Sequence, residues 1–378
     1  MATFFLIYFS VYGGMHAYFF LKIHLAFSLN GYRLAALIVF LLLMLNAPIL
    51  VRLMERAGFI APATWLAYSS YVWMAIILWF VSLGLIGDIW NLGVWIASQI
   101  FPASDRLLLG SGTGIKVIFL IITASALWGV MEASRIRVES VVLSTSLLEP
   151  GSKSITVAQI SDLHLGLIVG ERKVIQVKQL LEGIAPDILV STGDMVDGTA
   201  PHLDQLSVLF NSIEAPLGKF AVTGNHEYYA GLKESLDFHR RAGFKVLRGE
   251  SSLAGRIRIA GVDDPSGNQR GGSVRNDEDN ALPEAGNKEF TILLKHRPNV
   301  LSESLGRFDL QLSGHTHRGQ IFPFKYLVKL QYPMLDGLYP LGGSSVLYTS
   351  RGTGTWGPPM RVLSPPEITV FTIVPESG

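Results

Sequence analysis

The chain has 378 residues, 49% of them hydrophobic, with 31 Lys and Arg against 30 Asp and Glu, which leaves room for two or three units of ordinary domain size. It contains no Cys, so disulfides and thiolate metal sites are excluded and any metal must be held by His, Asp, Glu or Asn. Six basic and three acidic residues precede Met131, against 25 and 27 from there on, so no basic surface is available for nucleic acid.

The uneven spread of charge sets the organisation. Up to Val130 the only charged side chains are Lys22, Arg33, Arg52, Glu55, Arg56, Asp88, Asp105, Arg106 and Lys116. A bilayer core of about 30 Å needs roughly 20 apolar residues in a helix. Four stretches qualify: Phe4 to Leu21, Leu34 to Val51, Thr64 to Ile86 and Gly114 to Ser134. Between the third and fourth, "DIWNLGVWIASQIF" places Trp90 and Trp95 for an interfacial segment. "LLLGSGTGIK" has three glycines but lacks the Gly-Lys-Ser/Thr ending of a phosphate-binding loop, and is expected to be a flexible connection. His16, His24 and Asn46 are expected to bond to neighbouring helices. Basic residues are balanced, with Arg52, Arg56, Arg135 and Arg137 on one side and Lys22, Arg33, Arg106 and Lys116 on the other, so their count does not orient the spans.

From about Val138 the period changes. "SITVAQI", "DILVSTG", "KFAVTG", "RIRIAGV", "FTILLKH", "DLQLSG", "SVLYTS" and "ITVFTIV" read as short strands bounded by Gly, Asp or Pro. Helical patterns fall at Arg172 to Gly183, Leu203 to Ile213 and Leu232 to Ala242. Together they predict a layered α/β domain with helices outside paired sheets. The polar, Gly-rich run from Asp264 to Glu289 is expected to be a surface loop.

Five strands end in hard or imidazole donors: Asp162 and His164; Asp194 and Asp197; Asn225, His226 and Glu227; His296; and His315 with His317. Alternate side chains of an extended segment share a face, and ligands of α/β sheets collect beyond the carboxyl ends of strands. Buried carboxylates and imidazoles gathered in this way are best satisfied by cations.

"SDLH", "GDMVD", "GNHE", "KHRP" and "GHTH" stand in the order of the calcineurin-like metallophosphoesterases, which the segment from Val138 onward resembles. "SRGTGTWGPPMR" resembles the membrane-anchored bacterial branch, which includes a lipid-processing enzyme that splits the pyrophosphate of UDP-2,3-diacylglucosamine. The resemblance implies a four-layer αββα sandwich over residues 135–378, preceded by a helical membrane anchor of about four spans over 1–134. It implies one metal held by Asp162, His164 and His317 and a second by Asn225, His296 and His315, with Asp194 bridging. A hydroxide between the metals would attack phosphorus. His226 would bond the phosphoryl group or protonate the leaving oxygen. Asp197 would orient a histidine. The metals expected are two divalent ions, manganese foremost, with iron or zinc as alternatives.

Arg351 and Arg361 are candidates for binding phosphate, or else for structural salt bridges. "IFPFKYLVKLQYPMLDGLYPLGG", Ile321 to Gly343, is charged only at Lys325, Lys329 and Asp336. It reads either as an apolar rim facing the bilayer that admits a lipid-linked phosphorylated substrate, or as a loop packed on the domain. The alternative to a membrane-anchored hydrolase is a silent scaffold or sensor of the same fold. Such scaffolds usually lose ligands, and all the ligand positions are present here.

Overall fold

The computed structural model describes residues 2–198, 203–270 and 274–376. By contact the chain separates into two compact units, one comprising Met1–Val130 with Gly357–Pro359 and the other Met131–Trp356 with Met360–Gly378.

The first unit is helical: α1 (Ala2–Phe27), α2 (Gly31–Arg56), α3 (Ile60–Ser98) and most of α4 (Ser111–Ser134). Among the described residues, α2, α3 and α4 are long and apolar enough to cross a membrane. These are three helices where the sequence suggested four. The fourth, α1, is also continuous over 26 residues. The segment expected to lie apart as an interfacial stretch instead extends α3, whose 39 residues measure about 58 Å at the α-helical rise. The glycine-rich connection is helical from Ser111 on and opens α4.

Several polar side chains inside this unit are paired, as apolar surroundings favour. His16 Nδ1 bonds the Tyr12 carbonyl and its Nε2 accepts from Trp73. Asp88 accepts from Tyr18 and pairs with Lys22, joining α1 to α3. Asn46 donates to the Leu42 carbonyl of its own helix.

The second unit is a four-layer sandwich. One sheet runs β1 (Arg137–Thr145), β12 (Glu367–Pro375), β2 (Ile155–Ile160), β3 (Ile188–Ser191), β4 (Gly218–Ala221) and β5 (Lys245–Val246) in spatial order. The other runs β10 (Gly337–Pro340), β11 (Val346–Thr349), β9 (Leu310–Ser313), β8 (Phe290–Leu294), β7 (Ile257–Gly261) and β6 (Glu250–Ala254). The site-bearing strands β2, β3 and β4 pair in parallel, as do β8 and β9, so their carboxyl ends open on the same edge of each sheet.

Strand period two explains why these sequences are apolar throughout. Val157, Ile188, Val190, Ile292 and Leu294 fill the space between the sheets. Their neighbours Ala158, Ile160 and Leu189 face outward onto α5 (Glu171–Ile184), α6 (Leu203–Asn211) and α8 (Leu232–Arg241), meeting Val174, Leu181, Leu206 and Phe238. Leu293 and Ala260 face the other way and pack on Ala281 of α9 (Val274–Ala281) and on Phe308. Two further helices, α7 (Asn225–Ala230) and α10 (Lys325–Gln331), flank the strand ends.

The run expected to be a plain loop therefore carries a turn of 3-10 helix, Pro265–Arg270, and α9, with residues 271–273 outside the described residues. Buried Glu278 is the reason. One carboxylate oxygen takes Lys295 Nζ at 2.5 Å and the other accepts from the Ser304 hydroxyl. Glu278→Ala strands the Lys295 ammonium and is expected to destabilise the unit by about 3–5 kcal/mol, read as a lowered Tm. Glu278→Leu with Lys295→Met should restore most of it; a single variant as stable as the parent would show that the pair ties nothing.

Candidate metal centre

All seven donors expected from the sequence arrive at the strand ends, and the backbone bends sharply to deliver them. Asp162 (φ 50°), His164 (φ 54°), Asp194 (φ 54°), His315 (φ 70°) and His317 (φ 48°) occupy the left-handed region. That region costs a non-glycine residue roughly 1–3 kcal/mol, so five such residues in one place persist only because the surroundings hold them. Backbone bonds do part of this: Asp162 N donates to Gly193 O at 3.0 Å and His164 N to Asp194 O at 2.9 Å, lacing the β2 and β3 ends together.

Glycine makes the approach close enough. A Cβ on Gly224 would lie 2.1 Å from Asp194 Oδ1, and one on Gly314 would lie 2.2 Å from Asp162 Oδ2.

Three overlapping clusters place their ligand atoms within 4.8 Å of one another: Asp162, His164 and His317; His164, Asp194 and His226; and Asp194, His296 and His315. Asp194 belongs to two of them, with His296 Nε2 3.1 Å and His164 Nε2 3.9 Å from its Oδ2. Asp162 Oδ1 lies 3.4 Å from His317 Nε2. Its two oxygens also accept from the His315 amide at 3.0 and 3.1 Å.

The donor set fits divalent cations. His164 Nε2 faces His317 Nε2 at 3.0 Å, and His315 Nδ1 faces His296 Nε2 at 3.1 Å. Two imidazole lone pairs cannot meet at that distance without a proton or a cation between them. Asn225 Oδ1 is buried with no hydrogen-bond partner, a carbonyl oxygen that a cation satisfies.

Protonation is divided sharply. Burial pushes Asp194 up, but His296, His226 and His164 outweigh it and hold the carboxyl well below the usual range. Burial lowers His296, yet Asp194 and then Asp162 raise it to about 10. His226 is depressed by burial too, and Asp194 and Asp197 lift it to about 9. Burial brings His164 down to about 4 and His315 to about 3, and burial together with Arg361 lowers His317 far. His164 and His315 are thereby held neutral, as metal ligands require.

His226 sits at the second position of α7, with its Nδ1 2.5 Å from Asp197 Oδ1. Exposed Tyr229 and Trp356 lie edge-on to its ring at 5.3 and 5.7 Å.

The two arginines do not reach toward a substrate. Arg361 is fully buried and donates to the carbonyls of Gly354, Arg351 and Ser364, with Nη2 3.1 Å from His317 Nδ1. Arg351 pairs with Glu139 and Glu367 and donates to Pro365 O. Of the two readings open for these arginines, their contacts fit the structural one: both guanidinium groups are engaged by carbonyls or carboxylates.

One residue had no role assigned from the sequence. Glu227 is wholly buried and accepts from the amides of Asp194, Met195, Val196 and Gly224 at 2.7–3.2 Å. It fixes the β3 turn to the β4 turn. A glutamate directly after "GNH" is visible in the chain, but nothing in the pattern says it points inward.

The calcineurin-like phosphoesterase family model matches residues 155–319, which contain every one of these donors. An uncharacterized metallophosphoesterase of Aquifex aeolicus is 44% identical over 245 residues, covering 64% of this chain and 94% of that protein. The chain belongs to the calcineurin-like metallophosphoesterase family, whose members use divalent metals. It is also 38% identical to an uncharacterized metallophosphoesterase of Campylobacter jejuni, over 58% of this chain and 59% of the relative. A transmembrane protein with metallophosphoesterase domain from Danio rerio is 31% identical, over 67% and 61%. The chain thus spans about three fifths of the length of the last two relatives.

Gly224→Ala drives a methyl group into Asp194, and Glu227→Gln replaces one accepting oxygen by an NH2 group, setting a donor against two of the four amide donors. Both variants are expected to lose most of their bound metal by elemental analysis while retaining strand content by circular dichroism. Full metal occupancy in Gly224→Ala would show that the close approach is dispensable.

Proposed function

We propose that the chain is a multi-pass membrane protein that uses two divalent cations, manganese foremost with iron or zinc as alternatives, to hydrolyse a phosphoester or pyrophosphate of a lipid-linked substrate. The observation that carries the hydrolase reading is the convergence of Asp162, His164 and His317 with Asp194, His296 and His315, with Asp194 Oδ2 3.9 Å from His164 Nε2 and 3.1 Å from His296 Nε2. Asn225 completes the second set.

When bound, the cations would polarise the phosphoryl oxygens and acidify water for attack on phosphorus. The chain's own residues do the remainder. Asp194 is held in place through its amide by Glu227 and through Oδ1 by the His226 amide, so its other oxygen is aimed at the imidazoles. Asp197 takes up Nδ1 of His226, leaving Nε2 as the atom that bonds the phosphoryl group or delivers a proton to the leaving oxygen. Arg361 Nη2, against His317 Nδ1, and the Ser364 hydroxyl, which donates to the His317 carbonyl, keep His317 from turning.

Support for a membrane-bound substrate comes from three apolar helices, the last ending at Ser134, two residues short of β1, and from the Danio rerio relative named as a transmembrane protein. A domain tied so closely to a bilayer meets lipid-borne substrates at high effective concentration.

Purified full-length protein with manganese is expected to hydrolyse one or more of bis-p-nitrophenyl phosphate, UDP-2,3-diacylglucosamine and undecaprenyl pyrophosphate, and to stop with chelator or in Asp194→Asn. His226→Gln should keep its metal and lose about 10²–10⁴-fold in kcat. Metal-loaded protein silent on the whole panel would favour the scaffold reading.

A further inference from the structure

We infer that Phe322–Leu330, the turn leading into α10 and the helix itself, is a surface that docks onto an anionic lipid bilayer. The inference rests on the membrane-bound reading above for its setting, and on the exposure of this segment for its substance. Tyr326, Leu327 and Leu330 are 59, 60 and 82% exposed, Phe322 and Phe324 are exposed beside them, and α10 contains no buried residue. Five large apolar side chains within nine residues form a continuous patch of the kind that marks an interaction site. Val208 on α6 and Leu253 on β6 are each the one large apolar residue exposed on its element, and such single residues are ordinary.

A seven-residue helix does not hold itself in water, so this one is retained by its ends. At its start the chain packs so closely on Gly319 that a Cβ there would lie 2.4 Å from Lys325 Cα. Just beyond its end Tyr332 is buried, with its ring against His315 at 5.1 Å. Both supports adjoin the donor histidines: Gly319 follows His317 by two residues, and Tyr332 touches His315. A contact made by α10 is thereby linked to the loop that carries two of the donors.

Charge selects the occupant. Between Ile321 and Leu335 the only charged residues are Lys325 and Lys329. The Lys325 ammonium lies over the rings of Phe322 and Tyr326 at 5.7 and 5.1 Å. Aromatic rings interleaved with lysine suit the layer where acyl chains meet anionic head groups. A bilayer is also the one partner held near this unit by a covalent tether, since α4 ends at Ser134 and β1 starts at Arg137.

The absence of Cys allows clean single-site labelling. Leu330→Cys and, as a control, Val208→Cys would each be introduced into the full-length protein, labelled with an environment-sensitive fluorophore and placed in lipid nanodiscs containing spin-labelled phospholipid. Docking predicts quenching several-fold stronger at Leu330→Cys than at Val208→Cys, and stronger in discs with phosphatidylglycerol than with phosphatidylcholine alone. Equal quenching at the two positions overturns the proposal. So does a Leu330→Cys signal that ignores the spin label but changes with the number of protein copies per disc, which would make a second copy the occupant. In a second arm, Leu327→Glu with Leu330→Glu should abolish the lipid preference of the probe, placed for this purpose at Tyr326→Cys. The optical readout needs no turnover, so loss of the hydrolase reading and loss of the docking reading give separate results.

Discussion

Everything at this site depends on a backbone constraint: at the ends of β2, β3 and β9 the chain must bend into the left-handed region at residues that also carry the donor side chains. An extended strand would send successive side chains to opposite faces. The bend turns Asp162, His164, Asp194, His315 and His317 toward one another. Such a bend is unfavourable for each residue taken alone, so the molecule surrounds it with compensating structure. Glu227 accepts four amides, Asp162 accepts the His315 amide, and glycines at 224 and 314 leave space that any side chain would fill. The short motifs of the sequence are thus as much about bending as about ligation. Each donor is accompanied by the glycine or carboxylate that allows its neighbour to turn.

The same logic explains what could be read from the chain. The central strands were legible because both of their faces are buried, between the sheets and beneath the helices, which leaves them apolar throughout. The donors were legible because five strand ends carried them in succession. Strand β1 was not, since its side chains alternate between exposed and half-buried and its pairing with β12 is a long-range event that local pattern does not contain. Helix α9 was hidden by its polar composition, and only the position of Lys295 shows why Glu278 belongs inside. Arg361 illustrates the limit most sharply. Its residue type suits phosphate, yet its donors are taken up by carbonyls and by His317, and nothing along the chain indicates which way a guanidinium faces.

The helical unit follows a different rule. Its helices were located by apolar length alone, while their true extents follow from chain geometry: α3 continues through the tryptophan-bearing stretch that composition alone had set apart. Some of its polar groups are joined between helices, Trp73 with His16 and Tyr18 with Asp88. In a medium that supplies no hydrogen bonds, each of these pairs also sets the register of one helix on another.

The order of strands in the first sheet has a consequence for how the protein is made. β12 lies between β1 and β2, pairing with β1 over nine residues and with β2 over five. Until Glu367–Pro375 leaves the ribosome, β1 has no neighbour and β2 keeps one open edge, although the segments that supply all the donors have already emerged. Unpaired apolar edges invite wrong partners, and pairings this distant in sequence form slowly. The nascent domain therefore holds an incomplete sheet until β12 is made, and that strand closes the sheet from the middle.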